Sequence, residues 1–503
     1  MALNLKIKKL DINAGDPLTV LLNTADAKLD GLKAGDKVWL SAYEHEHVCV
    51  VNLTDVEVDQ GYVGLYSDIW LGNELESDSR ISLERVSTPQ SVSYIAKKLE
   101  GQRLTEEEMF EILQDVSDHK MRSAEMAYFM ATMFNPGFND DEVLYAIKGM
   151  VNSGEIFDFK NIKKNGELVV DKHSIGGIAG KGITPILVAV LSSFGLVAPN
   201  TSTRAITAPA GTTDILETVM PVRFKSEEIY GLMKKQGSSM IWGGDLNIAP
   251  ADDILIRVEK GLKVQCYQKF IISIIAKKLA MGISHIVIDL PYGQDTKIDN
   301  PEDLELVSDS FIKFFDKVGI DCAIHKRKVK GPDGRGVGAN LEMREVLRVL
   351  EDHEDKSVEL EEEVVKMSAT LLEFVEKAKK GFAEEMVRDR LADGKVTDKF
   401  WEIAFAQGAK DKVYSEDFKL GKETYDVIAT KSGEIDRINN KDVVNIARAL
   451  GTPSIKEAGL YFNKFVGDKV KKGDILLTFY TINNERMKQA RELYDEKSLF
   501  KYA

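Results

Sequence analysis

Cysteine is scarce in this chain. There are three in 503 residues, Cys49, Cys266 and Cys322, far apart and odd in number. That excludes a disulfide framework and fits a reducing compartment. No apolar run approaches the ~20 residues that a membrane helix needs. The start, Met-Ala-Leu-Asn-Leu-Lys-Ile-Lys-Lys, lacks the apolar centre of a secretory signal. A cytoplasmic protein with no membrane partner is expected. Positive charge is also short: 67 Lys and Arg face 81 Asp and Glu, a net −14. Such a surface does not coat nucleic acid, although a local cluster of cations can still hold a small anion. No Walker A loop is present, because Lys181 is followed by Gly182 and residue 175 is isoleucine. His45, His47 and Cys49 would share one face of a strand, but a metal site needs a fourth ligand. A solvated strand face is expected there, and no metal.

What remains is ordinary for a globular protein, with 44% hydrophobic and 29% charged residues. The length implies two to four domains with ample core. Residues 1–86 read as a small β-rich domain, since Leu3, Leu5 and Ile7 alternate with polar residues and further short apolar runs follow. Thr88-Pro89 breaks the chain. Residues 87–160 read as a helical bundle, with a capping box at Thr105 to Glu108 and helices over 123–134 and 141–152. Residues 161–415 read as α/β with a mixed or parallel sheet, and their acidic runs at 351–363 as solvated faces. Residues 416–503 read as a last α+β domain. The stretch 466–476 resembles the hairpin of a barrel-sandwich carrier domain, but without a modifiable lysine in its turn. The fold class is therefore α/β multidomain.

The chemistry concentrates in 169–217. An apolar strand start runs into Lys172-His173-Ser174, then four glycines within seven residues, then an apolar helix from Ile183. Strand, glycine loop and helix start form an anion cradle, because backbone N–H groups are exposed and the helix dipole favours negative charge. A second loop, 200–214, is dense in hydroxyls and carries Arg204, whose fork suits phosphate. Two such loops sit at neighbouring strand ends of a parallel sheet, where α/β folds bind ligands.

Lys-His-Ser-x-Gly-Gly followed by Ser-x-Arg-Ala-Ile-Thr-x-x-Ala-Gly-Thr-x-Asp resembles the thymidine phosphorylase family, and most closely its archaeal-type AMP phosphorylase branch. Trp242-Gly243-Gly244-Asp245, Ser273-Ile274-Ile275-Ala276-Lys277-Lys278 and Gly334-Arg335-Gly336-Val337-Gly338 carry the same resemblance. It runs from about Thr88 to the C-terminus, and the extra N-terminal domain favours the AMP branch.

The resemblance implies phosphorolysis of a nucleoside 5′-monophosphate. Inorganic phosphate is the co-substrate, there is no organic cofactor, and the enzyme is a homodimer or larger homo-oligomer. AMP is the default substrate, with CMP or UMP as variants. A nucleoside phosphorylase and a weakly active nucleotide-binding paralogue are the alternatives. The implied phosphate ligands are Lys172, Ser174, Ser202 and Thr212. Implied nucleotide contacts are Gly177, Thr203, Arg204, Ala205, Ile206, Thr207, Ala208, Thr212, Ser273 and Lys297, with Arg204 and Lys297 as candidates for the 5′-phosphate. His173 and Lys277 are implied in catalysis, on the segment 250–280 that in the family rejoins the helical domain. Three positions depart from the pattern. Gln265 stands where the branch has a proton-donating aspartate. Lys181-Gly182-Ile183 replaces Asn-Lys-Thr, leaving Thr184 as the nearest hydroxyl. Val258 stands near the place of the pyrimidine-gripping arginine.

Overall fold

The computed structural model describes all residues except 1, 16, 43–44, 72–74, 163–167, 206–207 and 260–265, and omits the side chains of 42, 45, 496 and 497. The chain divides into two compact units, Met1–Ser153 with Pro250–Gln268, and Gly154–Ala249 with Lys269–Ala503.

The first unit opens with a closed six-stranded barrel. Its strands are β1 (Leu3–Lys9), β2 (Thr19–Asn23), β3 (Lys37–Ala42), β4 (His45–Thr54), β5 (Tyr62–Leu65) and β6 (Arg80–Arg85). Their order is β1-β5-β2-β4-β3-β6. Alternation sends Leu5, Ile7, Val20, Leu22, Val38, Leu40, Cys49 and Val51 inward. The face carrying Cys49 is thus core, not the solvated face expected from sequence. Burial pushes the Cys49 thiol up to about 12, which makes it an inert apolar filler. No cluster of metal-ligating side chains occurs among the described residues.

Helices Ser91–Leu99, Glu106–Ser117, Ser123–Thr132 and Asp140–Asn152 follow. The capping box forms as its spacing requires: Thr105 Oγ1 accepts from the Glu108 N–H, and the Glu108 carboxylate accepts from the Thr105 N–H. Met109, Ile112, Leu113 and Val116 form the buried stripe. A fully buried ion pair, Lys98 to Glu142 at 2.7 Å, ties the bundle's ends together.

The second unit is built on parallel strands β7 (Val170–Ser174), β8 (Ala198–Ser202), β9 (Ser238–Trp242), β10 (His285–Tyr292) and β11 (Asp321–Lys328). β11, β10 and β7 form one sheet and β8 with β9 another, and every pairing in them is parallel. The two join where Val170 N–H donates to Val197 O at 2.8 Å. The helix Ile183–Ser193 is almost wholly buried against this sheet.

Two expectations need correction here. The segment returning to the helical unit stops at Gln268, whereas sequence reading carried it to 280. Most of the helix Tyr267–Ala280 belongs to the α/β unit, because its Lys278 is buried in an ion pair with Asp171. The acidic run 359–363 is not a bare solvated face. Glu359 binds Arg335 at 2.8 Å, Glu361 binds Lys356 at 2.9 Å, and Glu362 binds Arg388 at 2.8 Å.

The C-terminal part has its own core around Ile435, Val443, Leu460, Phe462 and Phe479. The two strands of 466–476 do not pair as a hairpin. Lys469–Val470 pairs with Gly433–Ile438, while Ile475–Thr481 pairs with Glu423–Ile428 and Gly459–Phe462 in a different sheet. No described helix is long and apolar enough to cross a membrane.

Candidate active site

β7 runs through Lys172 and His173 to Ser174, so these residues are strand, not loop. Their orientation is fixed by the sheet. Asp171, buried on β7, accepts from three directions: Lys278 Nζ at 2.5 Å, Asn200 Nδ2 on β8 at 2.7 Å, and the Lys172 N–H at 2.8 Å. Asn200 therefore locks β8 beside β7 and sets Ser202, two residues on, at the neighbouring strand end. Ser202 Oγ lies 2.8 Å from Thr213 Oγ1 in the helix Thr212–Leu216, which begins with Thr212.

Lys172 is 7% exposed. Its ammonium has one hydrogen bond, to Thr184 Oγ1 at 3.0 Å. Thr184, the nearest hydroxyl after the departure at 181–183, thus stands beside Lys172. Burial lowers the Lys172 pKa to about 8, with Asp289 opposing and Lys181 and Arg327 reinforcing. His173 is pushed well below the ordinary histidine value, first by burial and then by Lys278, Lys172, Lys277 and Lys181. It is a neutral imidazole near pH 7, with one donor and one acceptor nitrogen. The charge of Lys277 acts on His173, and Ser273 lies one helical turn before Lys277, buried.

The glycine loop follows. Gly176 and Gly177 have φ of +86° and +92°, which suits glycine. Gly180 has φ +75°, and a Cβ there would lie 2.8 Å from the backbone of Gly334. The Gly177 and Ile178 N–H groups bond to no described residue. Lys297, beyond β10, reaches back so that Nζ donates to Ile175 O at 2.7 Å, and its stem lies against Gly177.

The second loop is organised otherwise than its sequence suggests. Arg204 forks onto Glu217 with two bonds of 2.8 Å, touches Asp214 at 3.3 Å and stacks on Trp242 at 5.0 Å. Its fork is filled by carboxylates, so Arg204 braces the loop in this structure. Asp214 also accepts from the N–H groups of Ala205 and Gly211, both at 2.8 Å. Thr203 is exposed and Ala208 buried, and Ile206, Thr207 and Gln265 lie outside the described residues.

Sequence reading missed a buried charge cluster beneath the loop. The register of β10 against β7 places Asp289 opposite Ser174, and the Ser174 hydroxyl helps to hold the Asp289 pKa down. Arg327 on β11 bridges Asp289 at 2.8 Å and Asp333 at 2.6 Å. Burial alone would raise the pKa of Asp289, but Arg327, Lys172 and the Ser174 hydroxyl hold it below the ordinary carboxylate value. The Asp333 pKa moves the other way, raised by burial that the shared Arg327 only partly offsets. The two shifts part because Asp289 also gains the Ser174 hydroxyl and Lys172. A carboxylate at the end of the apolar strand 285–290 was the one available signal.

Lysines, hydroxyls and open N–H groups at parallel strand ends can hold an anion close to a neutral histidine. Residues 92–154 match the family model described as the helical bundle domain of a glycosyl transferase family. Residues 434–501 match the pyrimidine nucleoside phosphorylase C-terminal domain. Fold, site and these matches define an enzyme of the glycosyl-transferring class.

The chain is 34% identical over 491 residues to AMP phosphorylase of Methanocaldococcus jannaschii, covering 97% of this chain and 95% of that protein. It is 34% identical to the AMP phosphorylase of Methanosarcina barkeri (97% and 95% covered) and 33% identical to that of Methanococcoides burtonii (99% and 97% covered). The chain belongs to the AMP phosphorylase family. A crystal structure of anthranilate phosphoribosyltransferase from Thermus thermophilus aligns with 62% of this chain and 98% of its own, at TM-score 0.47 and 15% identity.

Proposed function

We propose that this enzyme splits AMP with inorganic phosphate into adenine and ribose 1,5-bisphosphate. The observation that carries the reading is full-length similarity to AMP phosphorylases, joined to a cation-rich glycine loop at a parallel strand end. Phosphate must be held beneath C1′ in attacking position, and in this reading Lys172, Ser174, Ser202 and Thr212 hold it. As the glycosidic bond breaks the sugar becomes oxocarbenium-like, and the phosphate nucleophile supplies the compensating charge. Neutral His173 donates one hydrogen bond to sugar or base. In this reading the nucleotide is contacted by Gly177, Thr203, Ala205, Ile206, Thr207, Ala208, Thr212, Ser273 and Lys297.

The departing adenine needs a proton, and Gln265 cannot supply one as an acid. Asp245, another acid near the loops, is tied to Arg223 at 2.6 Å. A pyrimidine leaves as an anion that Lys277 and Ser273 can stabilise at its carbonyl oxygens. Gln265 therefore supports a second reading, preference for CMP or UMP. We further infer a cytoplasmic homo-oligomer working without organic cofactor or metal.

Phosphate-dependent base release across AMP, CMP, UMP, GMP and the matching nucleosides tests all of this. Brisk adenine release from AMP supports the first reading, and cytosine or uracil release the second. Preference for bare nucleosides overturns both.

A further inference from the structure

Lys181 has no role in the reading above, yet its side chain returns to the glycine loop. A methyl carbon built on Gly176 would lie 3.2 Å from Nζ of Lys181 and 3.8 Å from Nζ of Lys297. Two ammonium groups thus converge over one glycine. Each arrives from a fixed base. The Lys181 N–H donates to Glu342 Oε2 at 2.8 Å, and Gly180 before it is wedged against Gly334. Lys297 is held by the Ile175 carbonyl and stands 6.0 Å over the ring of Phe270.

Among the described residues the Lys181 ammonium has no hydrogen bond and no carboxylate in salt-bridge contact. The acids that act on it from further away are Asp333, Asp289 and Glu342. The first two are already bridged by Arg327, and Glu342 accepts from two backbone N–H groups. A half-buried ammonium with no carboxylate in contact favours an anion beside it, and the Lys297 ammonium approaches the same glycine. The open N–H groups of Gly177 and Ile178 face the same need. Other cations of the site are committed elsewhere: Arg204 to Glu217 and Asp214, and Lys172 to the deeper position beside Thr184.

We propose that Lys181 and Lys297 together form the subsite for the nucleotide's 5′-phosphate, so that Lys181 sets the preference for monophosphates over nucleosides. This rests on the reading of the substrate as a nucleoside 5′-monophosphate. Lys181 is a specificity residue supplied by this chain's departure from the Asn-Lys-Thr pattern. It takes a position in the fold that sequence reading offered to Arg204.

The test compares wild type, Lys181→Gln, Lys181→Arg and Lys297→Gln in two assays. Calorimetric titration with ribose 5-phosphate and with ribose reads the subsite without chemistry. Steady-state kinetics on AMP and adenosine reads its use. In Lys181→Gln the affinity for ribose 5-phosphate should fall ~10- to 100-fold, the loss typical of one charge-assisted contact. The AMP-to-adenosine ratio of kcat/KM should fall by a similar factor, carried by KM. Lys181→Arg should keep most of both. The double variant with Lys297→Gln should lose less than the two single losses multiplied, as expected for two groups sharing one anion. A folded Lys181→Gln protein with unchanged ribose 5-phosphate affinity overturns the proposal. So does a parallel fall for AMP and adenosine, or a rise confined to the KM of inorganic phosphate. If Lys181→Gln does not fold, Lys181→Arg and Lys297→Gln decide by the same ribose 5-phosphate affinities. A wild type that binds ribose 5-phosphate but releases no base from AMP overturns the substrate reading alone, and the titrations still judge Lys181.

Discussion

Replacing Lys172 with methionine is expected to weaken phosphate use and, at the same time, to stabilise the unliganded protein. The ammonium is buried, with one hydroxyl for company and no carboxylate in contact. Burial lowers its pKa from the ordinary 10.5 to about 8. The folded protein therefore holds that proton less tightly than the unfolded chain does. Below pH 8 the folded state carries the full cost of a buried charge. As pH rises from 8 towards 10.5 the folded lysine is already neutral while the unfolded one still binds its proton, and the cost fades. At about 1.4 kcal/mol per pH unit the cost is on the order of 3 kcal/mol. Methionine keeps the side chain's length and removes the charge. Loss of the bond to Thr184 takes back about 1 kcal/mol, leaving a net gain of about 2 kcal/mol at pH 7.

Calorimetric melting of wild type and Lys172→Met in phosphate-free buffer, at pH 7 and again near pH 10, measures this. The variant should melt higher at pH 7, and the difference should shrink or reverse near pH 10. Its KM for phosphate should rise ~10- to 100-fold, the worth of one charge-assisted contact. Wild-type phosphate affinity should itself weaken as pH passes 8 and Lys172 loses its proton. A variant that melts lower at pH 7 with no pH dependence would refute the buried-charge argument. Unchanged phosphate kinetics would remove Lys172 from the anion site.

Arg204→Ala should reduce kcat/KM for AMP and for adenosine by a similar factor, because the guanidinium braces the loop through Glu217. A selective loss of AMP turnover in parallel kinetic assays would restore it as a phosphate ligand. Its stability effect should be no more than about 1 kcal/mol, since the pair is partly exposed and screened. Lys278→Ala leaves Asp171 as an uncompensated buried charge and should cost about 3–5 kcal/mol, read by thermal or denaturant melting. Gly180→Ala sets a Cβ against the Gly334 backbone at a positive φ. It should cost about 2 kcal/mol or more and raise the KM for phosphate, with wild-type-like melting as the contrary result.

Local features were legible because local forces decide them. Thr105 and Glu108 sit at the spacing that lets each satisfy the other's N–H, and the helix starts there. Leu5 and Ile7 alternate with polar neighbours and enter the barrel. The run from Lys172 through the glycines to Ile183 reads as strand, loop and helix, and only the strand's end, carried on to Ser174, differs. The pairing within 466–476 was misread because a turn between two short strands says nothing about which partners they choose. Here Val470 pairs with Gly433 and Leu477 with Val427.

The charges of the site were legible in kind but not in partner. Arg204 in a hydroxyl-rich loop looks like a phosphate hook until Glu217, thirteen positions on, is brought round by the helix Thr212–Leu216 to fill its fork. Asp289 and Arg327 lie on neighbouring strands, and only the parallel register puts one within reach of the other and opposite Ser174. The sorting has a physical direction. Glu217, Asp289 and Asp333 meet arginine and Asp171 meets Lys278, while the Lys172 ammonium meets one hydroxyl and the Lys181 ammonium has no hydrogen bond or salt bridge among the described residues. In a chain with net charge −14 that imbalance is not forced by composition. It leaves the Lys172 and Lys181 ammoniums without a carboxylate in contact among the described residues. The cost of burying the Lys172 ammonium, carried by the empty site, is therefore what an anion bound beside it would relieve.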